Sequence, residues 1–125
     1  MCKLYPMKKT LILGASPNPS RYAYRAAHAL LQNDHEIVPI GVKRGEVFNH
    51  PIQHEFPKDE EIDTITLYVN PKLQEAYYED ILNLNPKRII FNPGTENDEL
   101  RELAEEKGIE TEYACTLVML GTGQY

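Results

Sequence analysis

Short runs suited to strands alternate along this chain with stretches in which apolar residues recur every three or four positions. Thr10–Leu13, Glu36–Ile40, Thr64–Val69, Arg88–Phe91 and the more polar Glu110–Tyr113 have the length and the β-branched or aromatic content of strands. Between them, Ser20–Asn33 places Ala23, Ala26, Ala27, Leu30 and Leu31 at helical spacing, with Ser20 as the N-cap. A second helix opens at Asn70-Pro71, a cap followed by proline at the first helical position, with a core stripe of Leu73, Tyr77, Ile81 and Leu84. Thr95-Glu96-Asn97-Asp98 has the look of a capping box for a third helix that buries Leu100, Leu103 and Ala104 and closes at Gly108. Thr116–Gly121 is apolar enough to dock on the core as a short last helix. This alternation predicts one α/β domain over residues 1–125, with residues 1–7 as an N-terminal extension. Its architecture is a Rossmann-like three-layer sandwich around a five-stranded, mostly parallel sheet of order 3-2-1-4-5.

Sheets of this kind bind ligands outside the carboxyl ends of their strands, where the strand order reverses. Here those ends are Gly14–Tyr22, Gly41–Gly45, Val69–Pro71, Asn92–Gly94 and Ala114–Thr116, and the predicted switch lies between the first and fourth strands. The first loop has phosphate-binding character, because a glycine turn leading into a helix N-terminus presents backbone N–H groups to an anion. It is not the dinucleotide fingerprint, since Gly14 fits the first glycine while Ser16 and Pro19 stand at the other two. After the second strand, a site for an unphosphorylated ribose would carry Asp or Glu. This chain has Lys43 and Arg44, which suits a ribose bearing a phosphate. The long loop between residues 41 and 61 is expected to be functional or partly structured.

Other chemistry is sparse. His50 and His54 flank Pro51, which argues against the helical spacing a metal pair needs, so no metal site is expected. No Ser-His-Asp constellation can be assembled, and no catalytic residue is assigned. Cys115 follows the last strand, where it could border the crevice beside a ligand thiol. The net charge of −6 speaks against nucleic acid or an acidic membrane as partner, and no apolar run is long enough to cross a bilayer. Two cysteines, Cys2 and Cys115, make no disulfide framework, and the reducing cytoplasm is the expected location.

Taken in order, several segments together resemble the small CoA-binding domain family. They are Gly14-Ala15-Ser16-Pro17-Asn18-Pro19-Ser20-Arg21-Tyr22, Glu36–Gly41, Gly45-Glu46-Val47, His50-Pro51-Ile52, Val69-Asn70-Pro71, Phe91–Glu96 and Cys115–Met119. The family's Rossmann-like domain also opens the α subunit of succinyl-CoA synthetase. The resemblance runs from about Lys8 to the end of the chain and departs at Gly41-Val42, where the family often has Asn-Pro. It implies coenzyme A or an acyl-CoA as the ligand, with Gly14, Ala15 and Ser16 turning backbone N–H groups to the pyrophosphate and Arg21 adding a charge. Asn18 and Tyr22 belong to the same binding stretch. Lys43 and Arg44 would meet the 3′-phosphate, Val69 and Pro71 the adenine or ribose, and Asn92, Pro93 and Gly94 the pantetheine. The expected partner is thus a small nucleotide ligand, held without catalysis. A homodimer or a partner enzyme is left open. So are two alternatives, an NADP-binding oxidoreductase-like domain and an interaction module that has lost its ligand.

Overall fold

In a computed structural model, residues 6–125 are described, so Cys2 and most of the expected extension lie outside the described residues. The main sheet is formed by β1 (Thr10–Leu13), β2 (Ile37–Ile40), β5 (Thr64–Leu67), β6 (Arg88–Phe91) and β7 (Glu110–Tyr113). A small antiparallel pair, β3 (Glu46–Val47) and β4 (His50–Pro51), lies in the long loop. The helices are α1 (Tyr22–Gln32), α2 (Pro71–Gln74), α3 (Tyr78–Leu84), α4 (Asp98–Glu106) and α5 (Thr116–Gly121), with a 3-10 turn at Glu75–Tyr77 between α2 and α3. Every pairing in the main sheet is parallel, and the fold is the expected α/β, Rossmann-like one.

The order is β2-β1-β5-β6-β7. The Thr64–Leu67 strand therefore pairs with β1, not outside β2, and the order reverses between β1 and β5. The outer position beside β2 is filled by a single parallel bridge between Ile40 and Gln53. With that bridge as a vestigial third strand, the 3-2-1-4-5 pattern holds with other residues in the third place. Pro39 explains why it is only a bridge. Its carbonyl accepts from the Gln53 amide at 3.0 Å on the outer edge, where proline has no N–H to offer a longer strand.

Alternation along the buried strands sorts side chains to two faces. Leu11, Leu13, Ile65, Leu67, Ile89 and Phe91 pack with Ile81, Leu100 and Ala104 under α3 and α4. Ile12 and Ile37 face the other way, with Ala23, Ala27 and Leu30 of α1. The α1 stripe matches the helical spacing in the sequence. Its N-cap is Arg21, not Ser20, and no side chain caps it. Of the second predicted stripe, Tyr77, Ile81 and Leu84 pack on the core, and only its first residue, before the 3-10 turn, departs. Leu73 is 56% exposed while Gln74 is fully buried. In α4, the third helix predicted from the sequence, the cap is Asn97, whose Oδ1 accepts from the Leu100 amide, and Thr95 lies before it. Among the described residues no helix is long and apolar enough to cross a membrane.

Candidate functional site

The carboxyl ends of β1, β2, β5 and β6 enclose a crevice of about 610 Å³. Its walls include Gly14, Ala15, Ser16, Arg21 and Tyr22 from the first loop and α1, and Lys43 from the loop after β2. Val69, Pro93 and Gly94 close the far side. In a chain of net charge −6, these walls hold two cations, Arg21 and Lys43, and no carboxylate. Three of the exposed large apolar side chains, Tyr22, Val42 and Leu73, stand at the same crevice. It is therefore a cationic cleft with an apolar rim.

The first loop does not work as its sequence suggests. The amides of Gly14 and Ala15 both donate to the Ile40 carbonyl, at 2.9 and 3.0 Å, and are not available to a phosphate. Gly14 is required for a different reason. Its φ is +97°, and a Cβ there would come within 3.0 Å of the Tyr68 carbonyl and of Val69 Cγ1. Pro17 and Pro19 carry no N–H. The Asn18 amide donates to Ser16 Oγ at 3.1 Å, and Asn18 Oδ1 accepts from the Ser20 amide at 3.0 Å and from Ser20 Oγ at 2.9 Å. Asn18 thus organises the turn and does not line the crevice. The amides of Ser16, Tyr22 and Ala23 have no acceptor among the described residues. All three residues line the crevice, and Tyr22 and Ala23 form the uncapped first turn of α1, where the helix dipole favours an anion.

Four other residues singled out in the sequence stand outside the walls. Arg44 is exposed beside Lys43 but does not line the crevice. Pro71 is the exposed first residue of α2 and does not line the crevice, although Val69 and Asn70 before it do. Asn92 is buried and serves the scaffold. Its Nδ2 donates to Thr66 Oγ1 at 2.7 Å and to the Leu67 carbonyl at 2.9 Å, and its Oδ1 accepts from the Thr116 amide at 2.9 Å. Cys115 is half-buried in the cap position of α5 and is not part of the wall. His50 and His54 each bond a backbone carbonyl through Nδ1, that of Phe48 and that of Gly41, both at 2.7 Å.

Gly41, Val42 and Asn70 line the crevice as parts of the strand-end segments expected there, whereas Ala23, Tyr68, Leu73, Tyr77 and Thr95 were not singled out for it. Of these, Thr95 carried a local signal, since it directly follows the Asn92–Gly94 strand end. Tyr68 lies largely buried in the wall, and burial pushes its phenol up to about 12. It stays neutral at physiological pH. Among the described residues no His, Cys, Asp or Glu lines the crevice.

A family model described as a CoA binding domain matches residues 8–121. A crystal structure titled as that of an uncharacterized protein superposes with a TM-score of 0.95 at 55% identity, covering 97% of this chain and 100% of that one. A hypothetical protein from Pyrococcus horikoshii OT3 superposes with a TM-score of 0.84 at 28% identity, covering 93% and 83%. A Thermus thermophilus protein shares the fold with a TM-score of 0.84 at 20% identity, covering 95% and 91%. No match is found among curated proteins.

Proposed function

This chain belongs to the CoA binding domain family, and on that premise we propose that it holds coenzyme A or an acyl-CoA in the crevice and does no chemistry there by itself. The observation that carries the reading is the charge of the cleft. An acidic chain presents Arg21, Lys43 and the free amides of Ser16, Tyr22 and Ala23 to one cavity, with no carboxylate among its walls. A polyphosphorylated ligand satisfies all of them, through charge-assisted hydrogen bonds. Lys43 follows the strand whose end contacts ribose in such folds, which supports a phosphate on that ribose. Arg21 and the α1 amides stand where the pyrophosphate would lie. Acid–base or nucleophilic catalysis needs a group poised to exchange a proton or attack near neutral pH. Among the described residues the walls carry no His, Cys, Asp or Glu, and burial holds the proton of the Tyr68 phenol to about 12.

Thermal unfolding with coenzyme A, NADPH and NADH tests the ligand. Coenzyme A at a hundred times its Kd should stabilise the protein by about 2.7 kcal/mol. A clear shift with NADPH and none with millimolar coenzyme A would replace this reading with the NADP-binding one. Saturable acyl-CoA hydrolysis that follows the protein through two unrelated columns would refute the absence of chemistry.

A further inference from the structure

Gln74 is a glutamine with no exposed surface, at the end of a four-residue helix behind the crevice wall. Its Nε2 donates to two carbonyls, Val69 at 2.9 Å and Thr95 at 2.8 Å. Its Oε1 accepts from Asn97 Nδ2 at 2.9 Å, and the same Asn97 Nδ2 donates to the Tyr78 hydroxyl at 2.8 Å. Val69 and Thr95 both line the crevice, on loops that leave neighbouring strands. The pairing of β5 with β6 ends at Leu67 and Phe91. Beyond that edge, no backbone hydrogen bond joins residues 68–77 to residues 92–98 among the described residues. The two walls continue past the sheet, and among the described residues the tie between them runs through the buried Gln74 carboxamide, which Asn97 braces.

A buried polar side chain with every hydrogen bond made fixes geometry more than it adds stability, because its donors exchange one set of partners for another on folding. We propose that Gln74 is a positioning residue that sets the gap between these two walls, the side on which the family resemblance puts the pantetheine arm of coenzyme A. The placement of the arm rests on the ligand proposed above and on charge. Arg21 and Lys43 stand on the α1 side, whereas the tied walls contribute Val69, Asn70, Leu73, Pro93, Gly94 and Thr95, none of them charged. Phosphates therefore belong to the first side and the amide-and-methylene arm to the second.

The test uses Gln74→Met, which keeps length and removes both donors, and Gln74→Glu, which sets a carboxylate against two carbonyls. Calorimetry compares coenzyme A with adenosine 3′,5′-bisphosphate, which lacks the arm. Gln74→Met should lose about tenfold in affinity for coenzyme A, as expected for one or two net hydrogen bonds, and change little for the bisphosphate. Gln74→Glu should lose more at neutral pH and recover part of the difference on acidification relative to wild type, since a protonated carboxyl can again donate. In the ligand-free protein, amide hydrogen exchange should quicken at Asn70, Gly94 and Thr95 and stay unchanged in β1 and α1. Equal losses for both ligands, or unchanged affinity for coenzyme A, would overturn the proposal. If wild type fails to bind coenzyme A, the ligand reading falls. Exchange alone then decides the tie, with local quickening supporting it and uniform or absent change refuting it.

Discussion

On the α1 flank of the crevice the chain is held by backbone contacts, and its charged side chains are left free. Gly14 and Ala15 bond to Ile40, the Asn18 carbonyl accepts from the Arg21 amide, and Arg21 and Lys43 remain available to a ligand. On the β5–β6 flank it is held by buried carboxamides. Asn92 joins β5, β6 and the start of α5, and Gln74 and Asn97 continue the tie beyond the sheet. The contrast teaches that residues suited to contacting a ligand divide into two kinds. A cation in a loop is free to meet an anion. An amide at a strand end is more valuable to the scaffold, because its donors and acceptor can satisfy backbone groups that the sheet no longer pairs.

The comparison breaks most readily at Asn92. Asn92→Leu should destabilise the protein by about 3 kcal/mol in urea unfolding, since the Thr116 amide loses its acceptor while the Leu67 carbonyl and Thr66 hydroxyl lose a donor inside the core. A loss below about 0.5 kcal/mol would show that this flank is not held as described.

Lys43 tests the other flank. Lys43→Ala should weaken coenzyme A by about 1.5–3 kcal/mol while leaving dephospho-coenzyme A little changed, and without lowering stability. Arg44→Ala should have a far smaller effect, because Arg44 does not line the crevice. Arg21→Ala should weaken both ligands alike if it meets the pyrophosphate. Calorimetry with both ligands reads all three variants, and equal losses for the two ligands in Lys43→Ala would remove the 3′-phosphate from that side.

The smallest expected effect sharpens the account of the first loop. Ser20 donates to Asn18 at the exposed surface and does not cap α1, so Ser20→Ala should cost under about 0.5 kcal/mol. Asn18→Ala removes the acceptor around which the turn is built and should cost about 1 kcal/mol. Thermal unfolding of the two variants orders them, and the reverse order would restore Ser20 as the cap.

The elements were legible because the periods of the pattern are local. The strands starting at Thr10, Thr64, Arg88 and Glu110 begin where the sequence places them, and α5 spans the expected residues. Nine of the fourteen singled-out residues line the crevice, which was readable because a parallel sheet directs its strand ends to one side. The misplacements have particular causes. The second helical stripe holds at Tyr77, Ile81 and Leu84 and departs at Leu73, where the 3-10 turn between α2 and α3 leaves Leu73 exposed and Gln74 buried. Asn92 and Asn18 were read as ligand contacts because an amide side chain has the same donors and acceptor whether it meets a ligand or the backbone.

The sequence by itself determined the strand–helix alternation, the α/β class, the family and the cations after the first two strands, since each follows from residue type and short-range order. Only the tertiary structure decided which strand stands beside β1, which loop amides are already satisfied by Ile40, and which of Lys43 and Arg44 reaches the cleft. Those outcomes depend on groups far apart in the chain competing for the same hydrogen bonds and the same buried space. Gln74 is the clearest instance. Nothing around position 74 marks it, and its role exists only where Val69, Thr95 and Asn97 come within reach of one side chain.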